Sequence, residues 1–173
     1  MKSLLLVCLL FSTSIFAQSD IENNSRDFKT INGLLRAVLK GVTNKRGEVR
    51  NWTAFRNLFL PTCTFTVVNH NDSLFKPLET FNLDEFIKAV SQDSDEVGYT
   101  EKELGRITQR FNGIANVFQG FVGVDAENNK QRGVNSYQLV LFNNRWYVAN
   151  LVWTLETNGA KFPKELLGIR ENK

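Results

Sequence analysis

The chain has 173 residues, of which 42% are hydrophobic, 12% aromatic and 23% charged, with a formal net charge of +3, two cysteines and one histidine. That length and apolar content suit one domain with its own core. Near-balanced charge excludes a nucleic-acid binder that relies on a basic footprint. Two cysteines and one histidine exclude a zinc-finger array and a small disulfide scaffold.

In chain order, the first element is a leader. Met1-Lys2-Ser3 is a short positive start, residues 4–10 form an apolar run that 11–16 extend, and Ala17 is a small residue before Gln18. This is the pattern of a secretory signal peptide over 1–17, too short for a spanning helix, which needs roughly 20 apolar residues. No second apolar span follows. The sequence therefore predicts an exported chain, periplasmic or secreted, cleaved after Ala17 and free of the membrane thereafter. Cleavage removes Cys8 and leaves Cys63 alone, so no internal disulfide staples the domain. With no base near it in sequence, Cys63 reads as a plain buried thiol.

Residues 18–25 read as a flexible polar start. Phe28, Ile31, Leu34, Leu35, Val38, Leu39 and Val42 then recur at helical spacing, which predicts an amphipathic helix ended by Gly41 and Asn44-Lys45-Arg46-Gly47. Asn51 is a candidate cap for a short helix carrying Trp52, Phe55, Leu58 and Phe59, stopped by Pro61. The β-branched run 62–68 predicts a strand, 69–73 a polar turn, and 74–80 a return strand that Pro77 confines to an edge. Asn82 with Glu85 resembles a capping box opening a helix with Phe86, Ile87 and Val90.

The second half reads as a long antiparallel meander. Strands are expected at 101–111, 114–126, 132–142 and 145–156, with a turn over 127–130 and a tight hairpin at Asn143-Asn144. Residues 158–173 read as a charged tail. The last strand is apolar on both parities: Trp146, Val148 and Val152 on one, Tyr147, Ala149, Leu151 and Trp153 on the other. That predicts cover on both faces, by helices on one and a partner subunit on the other. The pattern is a single α+β domain.

The stretch Trp52-Thr53-Ala54-Phe55-Arg56-Asn57-Leu58-Phe59-Leu60-Pro61, with the β-branched strand after it, resembles the second helix and first strand of the NTF2-like superfamily. Three later runs are similar to the closing strands of its SnoaL-like (polyketide-cyclase-like) members. They are Arg110-Phe111-Asn112-Gly113-Ile114-Ala115-Asn116-Val117-Phe118, then Arg132-Gly133-Val134-Asn135-Ser136-Tyr137-Gln138-Leu139, and Arg145-Trp146-Tyr147-Val148 with Trp153. The resemblance covers residues 26–157. It implies a cone, in which a curved mixed or antiparallel sheet wraps around about three N-terminal helices and leaves a pocket between them. It also implies a homodimer through the outer sheet face.

Enzymes of that superfamily, such as polyketide cyclases, ketosteroid isomerase and scytalone dehydratase, move protons with Asp, His or Tyr. None of those constellations matches this chain residue by residue. Thr62 stands where relatives carry an acidic residue, and Asn116 where they often carry His, a swap that removes a titratable group. The expected function is thus a non-catalytic module binding a small apolar or amphipathic molecule in the cone. The alternatives are a cofactor-free dehydratase, isomerase or cyclase, and a dimerising interaction module with a filled pocket.

His70 is the single histidine, so any imidazole mechanism runs through it, although Asn69, Asn71, Asp72 and Ser73 give it the surroundings of an exposed turn. Glu103 shares a strand face with Glu101, but Lys102, Arg106 and Arg110 suggest an exposed charged strand. Glu156 at a strand end reads first as a cap or ion pair, and second as an acid. Asn116, Asn135, Ser136 and Gln138 interrupt apolar strands, where burial demands partners: they form a structural network or line the pocket. Asn135 and Ser136 have opposite parity, so at most one of them faces inward. Trp52, Phe55, Tyr99, Phe111, Phe118, Tyr137 and Trp153 are the candidate apolar walls. No phosphate loop, metal-ligand spacing or nucleophile elbow is present, so no metal, cofactor or nucleic acid is expected.

Overall fold

Thr30 starts the first helix, α1 (Ile31–Val42): its hydroxyl accepts from the Gly33 amide at 3.0 Å, satisfying a donor that a helix N-terminus leaves unpaired. The structure, a computed structural model, describes residues 27–68 and 77–172, the side chains of 92–96 and 172 excepted. The leader over 1–17, the segment 18–25 and His70 lie outside the described residues. Ile31, Leu34, Leu35 and Val38 form the buried stripe of α1. Asn51 caps α2 (Trp52–Arg56), accepting from the Ala54 amide at 2.9 Å. The expected capping box opens α3 (Leu83–Val97): the Asn82 amide donates to Glu85 at 2.9 Å, and the Glu85 amide to Asn82 at 3.0 Å.

The second helix stops at Arg56, earlier than the sequence predicts, and Phe59 already belongs to β1 (Phe59–Val68). Pro61 therefore ends no helix. It sits where the register of β1 against its parallel neighbour shifts, between Phe59 and Thr64, a place that can do without a ladder N–H.

The remaining strands are β2 (Leu78–Asn82), β3 (Tyr99–Phe111), β4 (Ile114–Asp125), β5 (Lys130–Phe142), β6 (Arg145–Leu155) and β7 (Ile169–Asn172). They form a seven-stranded sheet in the order β2-β1-β6-β5-β4-β3-β7. The β1–β6 and β3–β7 pairs are parallel and the rest antiparallel. Asn143 and Asn144 have φ of 49° and 60°, the left-handed pair that a two-residue hairpin requires, and Asn112-Gly113 repeats the device. The helices cover one face of this curved sheet. Leu34, Leu35, Phe86 and Ile87 pack there on Phe65, Val117, Tyr137, Leu139 and Leu151, with Phe65 and Phe86 stacked at 4.3 Å.

Two bulges change the expected facing of the strands. The β5–β6 register shifts between Gln138 and Leu139, setting Val148 opposite Leu139 but Asn150 opposite Gln138 and leaving Ala149 as the extra residue. Trp146 and Val148 before the bulge, and Leu151 and Trp153 after it, then share the helix side. The double apolar parity of this strand is thus a change of phase and does not require two covered faces. In β3 the shift lies at Leu104, between Glu103 and Gly105. Glu101, Glu103, Arg106 and Thr108 consequently face the helices. Arg106 is only 3% exposed, so this is not the exposed charged strand that its composition suggests.

The residues beyond 157 are part of the fold rather than a tail. Phe162 and Leu166 lie over Gly120 on the outer face, where no side chain fits. Leu166 is fully buried, and β7 extends the sheet along β3.

Candidate functional site

One row of side chains across the helix-covered face is polar. The register sets Arg106 opposite Gln119, Gln119 opposite Asn135 and Asn135 opposite Trp153. Arg106, Gln119 and Asn135 are all buried, and burial of such groups is costly unless they are paired. Arg106 donates from Nη1 to both Glu103 oxygens, at 2.7 and 2.8 Å, and from Nη2 to Asn32, which ties β3 to α1. Asn135 Nδ2 donates to Glu101 Oε1 at 3.1 Å and to Gln119 Oε1 at 3.4 Å. The Tyr99 hydroxyl donates to Glu101 Oε2 at 3.1 Å. The Glu101 amide donates to the Thr43 hydroxyl at 3.1 Å, at the C-terminal end of α1. Gly123, opposite Glu101 on β4, leaves the space that the Tyr99 ring occupies. Gln119 Nε2 and Arg106 Nε remain buried without a partner among the described residues.

Burial pushes the Glu101 carboxyl up to about 7, against the hydrogen bonds from Asn135 and Tyr99 that favour its charged form. Burial, and then the Glu101 charge, drive the Tyr99 hydroxyl well above its ordinary range, so it stays a neutral donor. The result is a carboxyl able to exchange a proton near neutrality, beside a phenol and two amides. Trp153 flanks this cluster edge-on to Phe86, with ring centroids 5.9 Å apart.

The candidate walls and acids separate accordingly. Tyr99, Asn135 and Trp153 meet at the cluster. Phe55 and Tyr137 are buried in the core behind it, and Trp52 packs edge-on against Phe55. Glu103 is committed to the buried arginine. Asn116, Phe118 and Gln138 lie on the outer face, where Asn116 pairs with Gln138 and Phe118 with Ser136, and all three are exposed. Phe111, at the end of β3, is 77% exposed. These four are corrections to the expected pocket: they occupy the strand parity opposite to Gln119 and Asn135, or lie beyond the helix-covered part. Glu156 accepts from Arg132 at 2.7 and 2.9 Å and from the Phe162 amide at 3.0 Å. Arg132 holds its carboxyl below the usual range, so it anchors the C-terminal segment. Sequence reasoning missed Gln119 and Arg106. The signal for Gln119 is one polar residue among Val117, Phe118, Phe121 and Val122; Arg106 is hidden by the bulge.

Among the described residues no three His, Cys, Asp or Glu side chains gather as a metal site. Two surface clefts lie away from Glu101. One of about 510 Å³ lies beside Val122, Arg132 and Glu156, and one of about 140 Å³ lies at the N-terminus of α1.

No protein-family model matches the sequence, and no curated protein matches it. Solved structures do match by shape. A Nostoc punctiforme protein of unknown function with a cystatin-like fold shares 10% identity over 86% of this chain and 97% of its own, with a TM-score of 0.55. An NTF2-like protein of unknown function from Shewanella baltica shares 13% identity over 86% of this chain and all of its own (100%), with a TM-score of 0.51. A Streptomyces avermitilis protein of the NTF2-like family, provisionally named a dehydratase, shares 10% identity over 75% of this chain and 96% of its own, with a TM-score of 0.56. At these identities the likeness establishes the fold. The chain has an NTF2-like, cystatin-like α+β fold.

Proposed function

From the NTF2-like fold and its polar cluster we propose that this domain binds a small amphipathic molecule, without turnover, at the Glu101 end of the cone. The observation that carries this reading is the Gln119 amide, buried beside Asn135 and Glu101 with its Nε2 unpartnered. A buried donor without an acceptor is costly, and a ligand oxygen supplies the acceptor. The polar end of the ligand meets Glu101, Asn135 and Gln119, and its apolar body lies against Trp153. The test is native mass spectrometry of the chain purified from its own host, joined to a thermal-shift screen of metabolites. The expected result is a retained small molecule, or a stabilising metabolite whose effect is lost in Asn135→Ala and Gln119→Leu. No retained mass and no shift across the panel would overturn the proposal.

A second reading, cofactor-free proton transfer with Glu101 as the base, is favoured by a carboxyl titrating near neutrality. Turnover of an enolisable or dehydratable substrate, abolished by Glu101→Gln, would select it over simple binding. Export and a homodimer belong to the same proposal. The leader pattern of 1–17 supports export, and N-terminal sequencing of extracytoplasmic protein tests it. Exposed Phe111, Ile114, Phe118 and Phe142, at the hairpin end of the outer face and clear of Phe162 and Leu166, support pairing with a second copy. Sedimentation of the wild type against Phe118→Glu tests that.

A further inference from the structure

The N-terminal end of α1 carries a cleft that the polar cluster does not use. The segment before the helix is fixed to β6, because the Trp146 amide donates to the Phe28 carbonyl at 2.9 Å and the Arg145 guanidinium lies 4.6 Å over the Phe28 ring. The Thr30 cap takes the Gly33 amide on its hydroxyl and the Leu34 amide on its carbonyl. The amides of Ile31 and Asn32 then remain as the donors that a helix N-terminus presents to an anion, reinforced by the helix dipole.

Three further observations converge there. Lys29 and Arg110 line the cleft, and no ion pair joins either of them to Glu171, which also lines it. Thr108, also in the lining, is 1% exposed, and its hydroxyl has no hydrogen-bond partner among the described residues. A buried hydroxyl aimed into a cleft with nothing to bond is a site short of one ligand. The volume, about 140 Å³, falls well below the roughly 300–1,000 Å³ of sites that enclose a whole organic ligand, so it suits an ion or a headgroup. Glu171, opposite Thr108 on β7, opposes an anion, but two cations and the helix end outweigh it.

We propose that this cleft binds one small oxyanion group, a phosphate or carboxylate, held by the N-terminus of α1, the Thr108 hydroxyl, Lys29 and Arg110. The site is independent of the Glu101 cluster, and Glu171 weakens it. Amide NMR of the full chain tests it, in titrations with inorganic phosphate, methyl phosphate and acetate against chloride at matched ionic strength. Saturable shifts at the Ile31 and Asn32 amides are expected. Thr108→Val and Arg110→Gln should each weaken binding about tenfold, the scale of a charge-assisted hydrogen bond, and Glu171→Gln should tighten it. Methyl phosphate matching inorganic phosphate would assign a headgroup, inorganic phosphate alone a free ion, and acetate alone a carboxylate ligand. Shifts no larger than those from chloride, or unchanged in Arg110→Gln (an exposed position that leaves the core intact), would overturn the site.

Discussion

Replacing Glu101 with Gln keeps the shape and one acceptor for Tyr99 but removes the ionisable group. In the unfolded chain this carboxyl titrates near 4.5, and in the fold burial raises it to about 7. Below 4.5 it is neutral in both states and the fold bears no penalty. As pH rises the unfolded chain releases its proton first, so unfolding becomes progressively easier until pH passes 7, where the loss levels off. At 1.36 kcal/mol per pH unit, the rise from 4.5 to about 7 is worth about 3 kcal/mol. Urea unfolding followed by tryptophan fluorescence, from about pH 4.5 to about pH 8, reads this directly. The Gln variant should gain about 3 kcal/mol on the wild type across that range. A difference between the two that stays flat with pH would refute the argument that burial opposes the charge on Glu101.

Three other outcomes follow from the packing. Glu103→Gln leaves Arg106 buried without its counter-charge and should cost about 3 kcal/mol in chemical denaturation; a loss within about 0.5 kcal/mol, as at ordinary surface sites, would remove the ion pair from the account. Leu166→Ala should cost about 2–5 kcal/mol, because the side chain is fully buried over Gly120; an unchanged midpoint would mean that the C-terminal segment is dispensable. Cys63, whose thiol burial pushes up to about 12, should resist a disulfide reagent in the native chain and react at once in denaturant, so rapid native labelling would contradict its burial.

Features set by short-range chemistry were legible in the sequence. The apolar stripe of α1, the Asn82–Glu85 capping box and the Asn143-Asn144 hairpin each depend on residues a few positions apart, and each stands as expected. The facing of the strands was not legible. Period-two alternation shows that a strand has two sides without saying which is covered, and the extra residues Leu104 and Ala149 exchange those sides midway. That is why Asn135 lies on the helix-covered face while Asn116 and Gln138, similar in sequence context, belong to the outer face. The last strand was missed for another reason: of Ile169–Asn172 only Ile169 is apolar, and its place is set by backbone pairing with β3 and by the Leu166 anchor before it.

The bulge at Ala149 also says where this chain tolerates a change of length. Removing that single residue would restore strict alternation to β6 with Trp146, Val148, Leu151 and Trp153 all still on the helix side. Deletion of the paired residue Val152 would instead turn Trp153 outward if the bulge stays, or Leu151 if it is absorbed, and so disturb the core. An insertion in the turn at Asn143-Asn144, a few positions away, shifts no strand phase. In a lineage carrying this fold, gaps should be tolerated in the hairpin turns and at the extra residues Ala149 and Leu104, and purged at the paired positions of the strands.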